Sequence, residues 1–459
     1  PAETTGKQGQ VQTGAPDGTV TFTPEPSFVG KAPAVTVVRE DMNGTKASAT
    51  YTPTVTPVTP VATPAESVAP QGIAQTGTVT FTAGNPVAPI NKETITLLDE
   101  NGKPAESVDA KSPEGKVIGK FTVDKETGVV TFTPTDKSYS GDVVPVKVQA
   151  KDANGTTVET TYTPKITPVA PTADPAESIG KQGQEQTGKP TFTPGNPAVP
   201  MNDDTPATFE DGKTTKTVDG VGTYTVAPDG TVTFTPVPSF VGKAPSVTVV
   251  REDMNGTKAS AKYTPTVTPV TPAATPAESV APQGIVQTGT VTFTEGDPVA
   301  PINKETITLL DENGQPAASV EAKSPEGKVI GTYTVDKATG VVTFTPTDKS
   351  YSGDVVAAKV QAKDANGTTV ETTYTPKITP VTPTAQDAAT KDIQGKTQTG
   401  TPTFTEGNPL VPIDEDTPAT FEDGSTTKKV DGEGTYTVAP DGTVTFVPEK
   451  SFTGTGTGV

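Results

Sequence analysis

The chain has 459 residues, with 54 acidic and 35 basic side chains, a formal net charge of −19, and no Cys, His or Trp. We expect no nucleic-acid partner and no anionic membrane partner, because both are bound through a basic face that this composition disfavours. Without Cys and His, the sequence excludes disulfides, Ser-His-Asp and Cys-His catalysis, and zinc sites of ordinary composition.

The sequence repeats itself. Ala15–Gly77 returns almost unchanged as Ala227–Gly289, 212 positions later. Within that period the marker Gln-Thr-Gly recurs, so that units of 111, 101 and 111 residues follow one another; the marker ends at Gly77, Gly188, Gly289 and Gly400. A fixed period of this kind predicts tandem structural units, each with its own small core.

The chain divides into five predicted repeats: repeat 1 (1–60, shortened), repeat 2 (64–171, long type), repeat 3 (175–272, short type), repeat 4 (276–383, long type) and repeat 5 (385–459, short type, truncated at the C-terminus). Repeat 1 lacks an equivalent of Lys189–Val226. The joints between repeats are rich in Thr and Pro, which predicts extended and fairly stiff connections. Both ends fall within a repeat, so we expect a segment of a longer protein.

Polar and apolar residues alternate within each repeat, which indicates β-strands. In repeat 3, Thr223–Val226 and Thr231–Thr235 alternate on either side of Ala-Pro-Asp-Gly (227–230). Pro presets the turn and Gly230 takes a positive φ, so this stretch predicts a β-hairpin, as do the equivalent turns at Gly18 and Gly442. Further predicted strands of repeat 3 are Pro190–Thr193, Thr205–Phe209, Thr214–Val218, Ser246–Arg251 and Lys258–Thr266.

About seven short strands per repeat predict an all-β fold, a tandem of antiparallel, immunoglobulin-like β-sandwiches arranged as a linear stalk. No stretch favours a helix of useful length, because Thr, Val, Gly and Pro work against one. The predicted core of repeat 3 is small: Phe192, Phe209, Tyr224, Val226, Val232, Phe234, Phe240, Val247, Val249 and Tyr263. We therefore expect each repeat to be stable by only a few kcal/mol.

The sharpest local motif is Asp-x-Asn-Gly. It starts at Asp41, Asp152, Asp253 and Asp364, and close variants start at Asp99 and Asp311. One interpretation is a calcium site, because oxygen ligands on a tight loop suit that cation. The other is a hairpin turn, for which Asn-Gly between apolar runs is a strong signal. We favour the turn, since the full spacing of an EF-hand loop is absent.

The sequence gives little support for glycosylation, covalent crosslinking or catalysis. Asn43, Asn154, Asn255 and Asn366 begin Asn-Gly-Thr sequons, which we regard as incidental in a bacterial protein. A Lys–Asn isopeptide crosslink is a further open alternative, and it needs a buried Lys. Glycosidase-like carboxylate pairs are formally available, but every carboxylate recurs in copies. We expect no enzymatic activity, no catalytic residue, no metal ligand and no cofactor.

Several long motifs resemble one family. Thr-Phe-Thr-Pro-Gly-Asn-Pro (191–197), Ala-Thr-Phe-Glu-Asp-Gly (207–212), the hairpin sequence at 222–234 and Val-Thr-Val-Val-Arg-Glu-Asp-Met-Asn-Gly-Thr (247–257) are similar to the CshA-type fibril repeat of streptococcal fibrillar adhesins. The resemblance covers essentially the whole chain. It implies a secreted, wall-anchored protein of a Gram-positive cell surface, whose adhesive region lies outside the repeats.

The composition, the repeats and the resemblance together favour a structural stalk that holds an adhesive tip away from the cell. Its partners would be the neighbouring repeats of the same chain, while a host or bacterial ligand would be bound outside this segment. Two alternatives stay open. The repeats themselves bind a host ligand, which requires an exposed aromatic or apolar patch repeated on one face, or the chain is a calcium-stiffened adhesin stalk.

Overall fold

The structure is a computed structural model that describes the backbone of every residue except Pro1, Lys7 and Gly14, and side chains outside residues 1–7 and 12–14. Across the described residues every regular element is a β-strand. Consequently, no helix of this part of the chain is long and apolar enough to span a membrane. The predicted all-β fold of tandem sandwich repeats is confirmed.

Repeat 3 shows the architecture of a complete short repeat. Its strands, with the short strand that precedes it, are β20 (Thr172–Asp174), β21 (Ala176–Lys181), β22 (Gln186–Gly188), β23 (Thr191–Thr193), β24 (Thr208–Phe209), β25 (Thr215–Val218), β26 (Gly222–Val226), β27 (Val232–Pro236), β28 (Gly242–Lys243), β29 (Val247–Glu252) and β30 (Lys258–Thr268). One sheet has the order β22-β27-β26-β25, and the other has the order β21-β30-β29-β24 with β28 also on β30.

The core of repeat 3 lies between these two sheets. Eight of the ten predicted core residues are fully buried, and the other two, Phe192 and Phe240, are partly buried and pack against the cluster. Alternation places these side chains inward, as in β27, where Val232 and Phe234 are buried and Thr233 and Thr235 point away. Burial of an apolar side chain contributes about 1.5–3 kcal/mol before the entropic cost of folding.

Repeats 2 and 4 are two close copies of the long type. The strands of repeat 2, with the short strand that precedes it, are β8 (Val61–Thr63), β9 (Ala65–Pro70), β10 (Gln75–Thr78), β11 (Thr80–Thr82), β12 (Ile90–Leu98), β13 (Pro104–Ala105), β14 (Ser107–Lys111), β15 (Val117–Val123), β16 (Val129–Pro134), β17 (Gly141–Asp142), β18 (Val146–Asp152) and β19 (Thr157–Thr167). The strands of repeat 4, with the short strand that precedes it, are β31 (Ala273–Thr275), β32 (Ala277–Pro282), β33 (Gln287–Thr290), β34 (Thr292–Thr294), β35 (Ile302–Leu310), β36 (Pro316–Ala317), β37 (Ser319–Lys323), β38 (Val329–Val335), β39 (Val341–Pro346), β40 (Gly353–Asp354), β41 (Ala358–Asp364) and β42 (Thr369–Thr379).

The outer repeats are less complete. Repeat 1 contains β1 (Ala2–Gly6), β2 (Gly9–Thr13), β3 (Val20–Pro24), β4 (Gly30–Lys31), β5 (Val35–Glu40), β6 (Lys46–Tyr51) and β7 (Thr54–Val55). The strands of repeat 5, the first of which begins one residue before it, are β43 (Thr384–Gln386), β44 (Gln398–Gly400), β45 (Thr403–Thr405), β46 (Thr427–Val430), β47 (Gly434–Val438) and β48 (Val444–Pro448). Among the residues whose side chains are described, the buried hydrophobic clusters lie in repeats 2, 3 and 4, and repeats 1 and 5 contain none.

The Thr- and Pro-rich joints are not simple linkers. Residues 61–63, 172–174 and 273–275 form the short strands β8, β20 and β31, which pair with β11, β23 and β34 of the repeat that follows. The connections are therefore extended, and each is attached to the body of the next repeat.

One pairing was not anticipated by the sequence analysis. In each of repeats 2, 3 and 4 the first long strand runs parallel to the last strand, over six residue pairs. In repeat 3 the ladder runs from Ala176 opposite Tyr263 to Lys181 opposite Thr268. The sandwich is thus closed by joining the beginning of each repeat to its end, and only the remaining pairs are antiparallel.

The predicted Ala-Pro-Asp-Gly hairpin is confirmed. Gly230 has a φ of 94°, and Gly18 and Gly442 have φ values of 84° and 90°. The Gly230 N–H donates to the Ala227 carbonyl at 2.9 Å, and the Asp229 carboxylate accepts from the Thr231 N–H at 2.9 Å. Gly is required because other L-residues are strained at this φ.

We expect Gly230→Val to lower the stability of repeat 3 by at least about 1 kcal/mol, because a β-branched side chain is strained at a positive φ. Thermal unfolding of the full chain measures the loss. Thr231→Val at the neighbouring position is the control, since a strand residue tolerates Val. An unchanged melting transition in Gly230→Val would refute the conformational role of this glycine.

Candidate functional site: clasps and joints of the repeats

The recurring polar residues of each complete repeat form a buried hydrogen-bonded group, which we call the clasp. In repeat 3 it consists of Ser178 on β21, Gln186 on β22 and Tyr263 on β30. The Ser178 hydroxyl donates to Gln186 Oε1 at 2.7 Å and therefore accepts from the Tyr263 hydroxyl at 2.5 Å. Gln186 Nε2 donates to the Thr266 carbonyl at 3.0 Å. The clasp thus ties the first strand, the last strand and the opposite sheet together.

The same clasp recurs with conserved geometry in the long repeats, where its members are Ser67, Gln75 and Tyr162 in repeat 2 and Ser279, Gln287 and Tyr374 in repeat 4. Burial raises the pKa of the Tyr162, Tyr263 and Tyr374 hydroxyls above their usual range, which keeps them protonated as donors. The Gln-Thr-Gly marker now has a structural explanation. Its Gln is a clasp member, and a Cβ on Gly188 would collide with the Tyr263 ring.

The Asp-x-Asn-Gly motifs form tight turns, as predicted. In repeat 3 the Gly256 N–H donates to the Asp253 carbonyl at 2.9 Å, and Gly256 has a φ of 82°. Asp253 Oδ1 accepts from the backbone N–H groups of Asn255 and Thr257, each at 2.9 Å. The acidic residue therefore stabilises the turn by accepting backbone donors, which is a common use of Asp in such loops.

The second carboxylate oxygen has no hydrogen-bond partner in three of the six turns. Asp152 Oδ2, Asp253 Oδ2 and Asp364 Oδ2 are buried and make no hydrogen bond. A calcium ion would need six to eight oxygen ligands, several of them charged. Within the part of the chain that the structure describes, no three Asp or Glu side chains come together in a way that could hold a metal ion. The calcium interpretation thus has one unexplained oxygen in each of three of the six turns in its favour, and no cluster of acidic ligands among the described residues.

The joint between repeats 2 and 3 is organised by Gln71, which directly follows β9. Its backbone N–H donates to the Thr167 carbonyl at 2.9 Å, and its side-chain Nε2 donates to the Ser138 carbonyl at 2.8 Å. Its Oε1 accepts from the Val169 N–H, in the segment that leaves repeat 2, at 2.6 Å. One buried side chain therefore fixes the exit of the chain against the body of its own repeat.

The remaining polar group of Gln71, its backbone carbonyl, forms a hydrogen bond with the next repeat. Its backbone carbonyl accepts from Asn255 Nδ2 at 2.9 Å, and Asn255 belongs to the Asp253 turn of repeat 3. A Cβ on the neighbouring Gly72 would collide with the Asn255 side-chain oxygen. The two turns approach so closely that Gly72 is needed for space as well as for its φ of 76°.

The joint between repeats 3 and 4 repeats this arrangement. Gln182 bonds to Thr268, Pro238 and Val270 of its own repeat, and its carbonyl accepts from Asn366 Nδ2 at 3.0 Å. This joint has in addition an ion pair between Lys181 and Asp297, and the ammonium group holds the pKa of the Asp297 carboxyl below its usual range. Because both groups reach solvent, this ion pair contributes little.

Four of the six Asp-x-Asn-Gly turns make no such contact among the described residues, although their backbone hydrogen bonds are the same; their Asn residues are Asn43, Asn101, Asn154 and Asn313. The joint function of Asn255 and Asn366 was missed by the sequence analysis, because nothing local distinguishes these two turns. The Asn side chain of each of these two sequons is engaged in the hydrogen bond to the preceding repeat. The isopeptide alternative needs a buried Lys, and no described lysine is buried.

Two further features could suggest a ligand site. A cavity of about 850 Å³ in repeat 5 is lined by Gln398, Gly400, Tyr436 and Phe446, among others. In repeat 3 the equivalent space is filled by Tyr263 of the last strand, against Gly188. The cavity is therefore the unfilled interior of an incomplete sandwich.

An aliphatic side chain is exposed at the same position of the first long strand in three successive repeats, namely at Val68, Ile179 and Val280, which are 67 %, 77 % and 66 % exposed. Each is flanked on the same face of its strand by an exposed glutamate, such as Glu66 beside Val68. A single aliphatic residue beside a charge does not form the apolar patch that a repeated binding surface requires.

Comparison with known proteins gives one family. A family model described as "Surface adhesin CshA repetitive domain" matches residues 15–55, 57–166, 168–267, 269–378 and 380–459. A search of curated proteins found no match.

Among solved structures, mouse cadherin-23 domains EC22–24 are 14 % identical, with 71 % of this chain and 100 % of that chain covered and a TM-score of 0.29. Protocadherin gamma B2 domains 1–5 are 12 % identical, with 82 % and 73 % covered and a TM-score of 0.29. Drosophila N-cadherin domains EC1–4 are 15 % identical, with 82 % and 90 % covered and a TM-score of 0.21. Because the TM-scores are this low, these similarities support no argument about the function of this chain.

We expect the double substitution Asn255→Ala/Asn366→Ala to weaken the coupling between repeats, because each change removes one hydrogen bond worth about 1 kcal/mol across a joint. The turns themselves keep their backbone hydrogen bonds. Denaturant unfolding of the full chain should begin at a lower midpoint and become less cooperative. The matched control is Asn101→Ala/Asn313→Ala, in the same type of turn but with exposed side chains. Equal effects in the two double variants would show that the joints are not coupled through these amides.

If the Asp-x-Asn-Gly loops are turns only, millimolar calcium should leave the melting temperature of the full chain unchanged. Asp253→Asn should cost little, because Asn keeps an oxygen that can accept the two backbone N–H groups. Calorimetry with calcium and with a chelator measures this. A rise in melting temperature with calcium that is reduced in Asp253→Asn would support the calcium-stiffened alternative.

Proposed function

Because the chain belongs to the family of the surface adhesin CshA repetitive domain, we propose that it is a stalk segment of a bacterial surface fibril that projects an adhesive tip from the cell. The family identifies the repeat region of a surface adhesin. Anchoring to a Gram-positive cell wall, a role in virulence and the presence of a tip outside this segment are parts of the proposal, and they rest on the resemblance of the motifs.

The observation that carries the proposal is the repeated joint. Asn255 and Asn366 make the same contact with the preceding repeat, 184 residues away in the sequence in both cases. A joint made of a buried Gln, a close-packed Gly and an Asn from the next repeat favours one arrangement of neighbours over others. A stalk needs this property, whereas a string of independent binding modules does not.

The chemistry of the chain supports a structural role and not an enzymatic one. Most of the polar side chains buried in repeats 2, 3 and 4 take part in clasps, turns or joints. The perturbed pKa values belong mainly to buried Tyr hydroxyls and to Asp residues that accept hydrogen bonds from their own turns. We propose that the partners of this segment are its neighbouring repeats, with no nucleic acid and no membrane among them.

The proposal predicts an extended chain in solution. Each sandwich should span roughly 40 Å, so that four to five repeats in line approach about 200 Å. Small-angle scattering on the full chain measures the maximum dimension. The double variant Asn255→Ala/Asn366→Ala should broaden the distribution of distances without making the chain compact. A compact particle in the wild-type chain would contradict the stalk function.

A further inference from the structure

We propose that the parallel ladder between the first and last strands, with its clasp, is a shear clamp that makes each complete repeat resistant to tension along the chain. The proposal deepens the stalk function proposed above. It assigns a mechanical function to specific hydrogen bonds and side chains of repeats 2, 3 and 4.

Tension along the chain reaches a repeat at the points where the chain enters and leaves it. In repeat 3 the chain enters β21 at Ala176 and leaves β30 at Thr268. Because the two strands are parallel, Ala176 lies opposite Tyr263 at one end of the ladder and Lys181 lies opposite Thr268 at the other. Entry and exit are therefore at opposite ends of one six-residue ladder.

The joints show that neighbouring repeats lie at these two ends. Gln182, which follows β21, bonds to Asn366 of the next repeat at the exit end. The Asp253 turn precedes β30 and lies beyond the entry end, and its Asn255 bonds to the previous repeat. The covalent chain connects β21 to the previous repeat and β30 to the next one, so tension along the chain pulls β21 backwards and β30 forwards, along their common axis.

This direction of pulling loads all the hydrogen bonds of the ladder together, because inter-strand bonds run across the strand axis. Pulling two strands apart from one end would instead break the bonds one after another. The rate of forced unfolding depends on the barrier and not on the equilibrium stability. A ladder sheared along its axis is the arrangement in which a small, marginally stable domain resists force.

The clasp reinforces the ladder at its side chains. The Tyr263 hydroxyl crosses from β30 to Ser178 on β21, and Ser178 in turn bonds to Gln186 in the other sheet. Sliding of the two strands must break both bonds and drag the Tyr263 ring, fully buried against Gly188, through the core. The clasp is thus in the path of the load.

The outer repeats lack this arrangement among their described residues. In repeat 1 the strand β1 pairs antiparallel with β2, and Tyr51, the equivalent of Tyr263, is 38 % exposed. In repeat 5 Thr390 still donates to Gln398 Oε1 at 2.6 Å, but residues 387–393 form no strand. Among the described residues the parallel ladder is therefore found in repeats 2, 3 and 4.

The test stretches the full chain by its two ends in single-molecule force spectroscopy and compares two double variants. Tyr263→Phe/Tyr374→Phe removes the clasp hydroxyls of repeats 3 and 4. Tyr224→Phe/Tyr333→Phe is the matched control, because these hydroxyls are equally buried but donate to the Pro245 and Val356 carbonyls, outside the parallel ladder. Repeat 2 keeps its clasp in both variants and serves as an internal reference.

We expect similar falls in melting temperature for the two variants but a fall in unfolding force only for the clasp variant, in two of the three complete repeats. An equal fall in force for both variants, or none for the clasp variant, would overturn the proposal. Small-angle scattering of the same proteins distinguishes the shear clamp from the stalk function. If the particles are extended but the unfolding forces do not depend on the clasp, the shear-clamp proposal is wrong and the stalk proposal still holds.

A second measurement changes the direction of pulling within repeat 4. Glu278 and Thr375 lie opposite each other in the ladder, and the chain has no native Cys. Thiol handles on Glu278→Cys/Thr375→Cys therefore attach at these two positions alone and peel the strands apart. We expect an opening force several-fold below that for pulling from the chain ends, and equal forces would overturn the shear geometry.

Discussion

Each complete repeat depends on the pairing of its first long strand with its last. The six parallel pairs bring together residues that are almost a whole repeat apart in sequence. They add the first long strand to the sheet that contains the last strand, and they place the clasp Ser beside the clasp Tyr. Pairing over this separation costs loop entropy that is recovered only when the core is complete, so the repeat folds as one unit.

The Gln-Thr-Gly marker, the clasp and the joint are consequences of this closure. Closure places Gln186 beside Ser178 and leaves space above Gly188 for the Tyr263 ring. It also brings the end of the first strand beside the end of the last, where Gln182 can bond to the departing chain through Val270. The same residue then presents its carbonyl to Asn366 of the next repeat. Folding within a repeat and docking between repeats therefore share one buried glutamine.

The chain uses polar residues where small secreted domains often use disulfides. Its apolar content is 31 % and it has no Cys, so each core is small and nothing covalent closes it. Buried hydrogen-bonded groups strengthen such a core only when every member has a partner. The clasp meets that condition at its Ser and Gln. The Oδ2 atoms of Asp152, Asp253 and Asp364 do not meet it, and neither does Nε of Arg251; all four are buried without a hydrogen-bond partner.

The sequence by itself determined the repeat period, the all-β class, the Gly230 hairpin, the Asp-x-Asn-Gly turns and most of the core, because each depends on neighbours in the chain or on strict alternation. It could not show that Ala176–Lys181 is a strand, since this stretch becomes one only by pairing with residues near 265. Nor could it distinguish Asn255 and Asn366 from the Asn residues of the four similar turns. The local sequence is alike, and only these two amides have a glutamine carbonyl of the preceding repeat beside them. Tertiary structure decided the parallel closure and the joints, since both consist of contacts between segments that no local pattern connects.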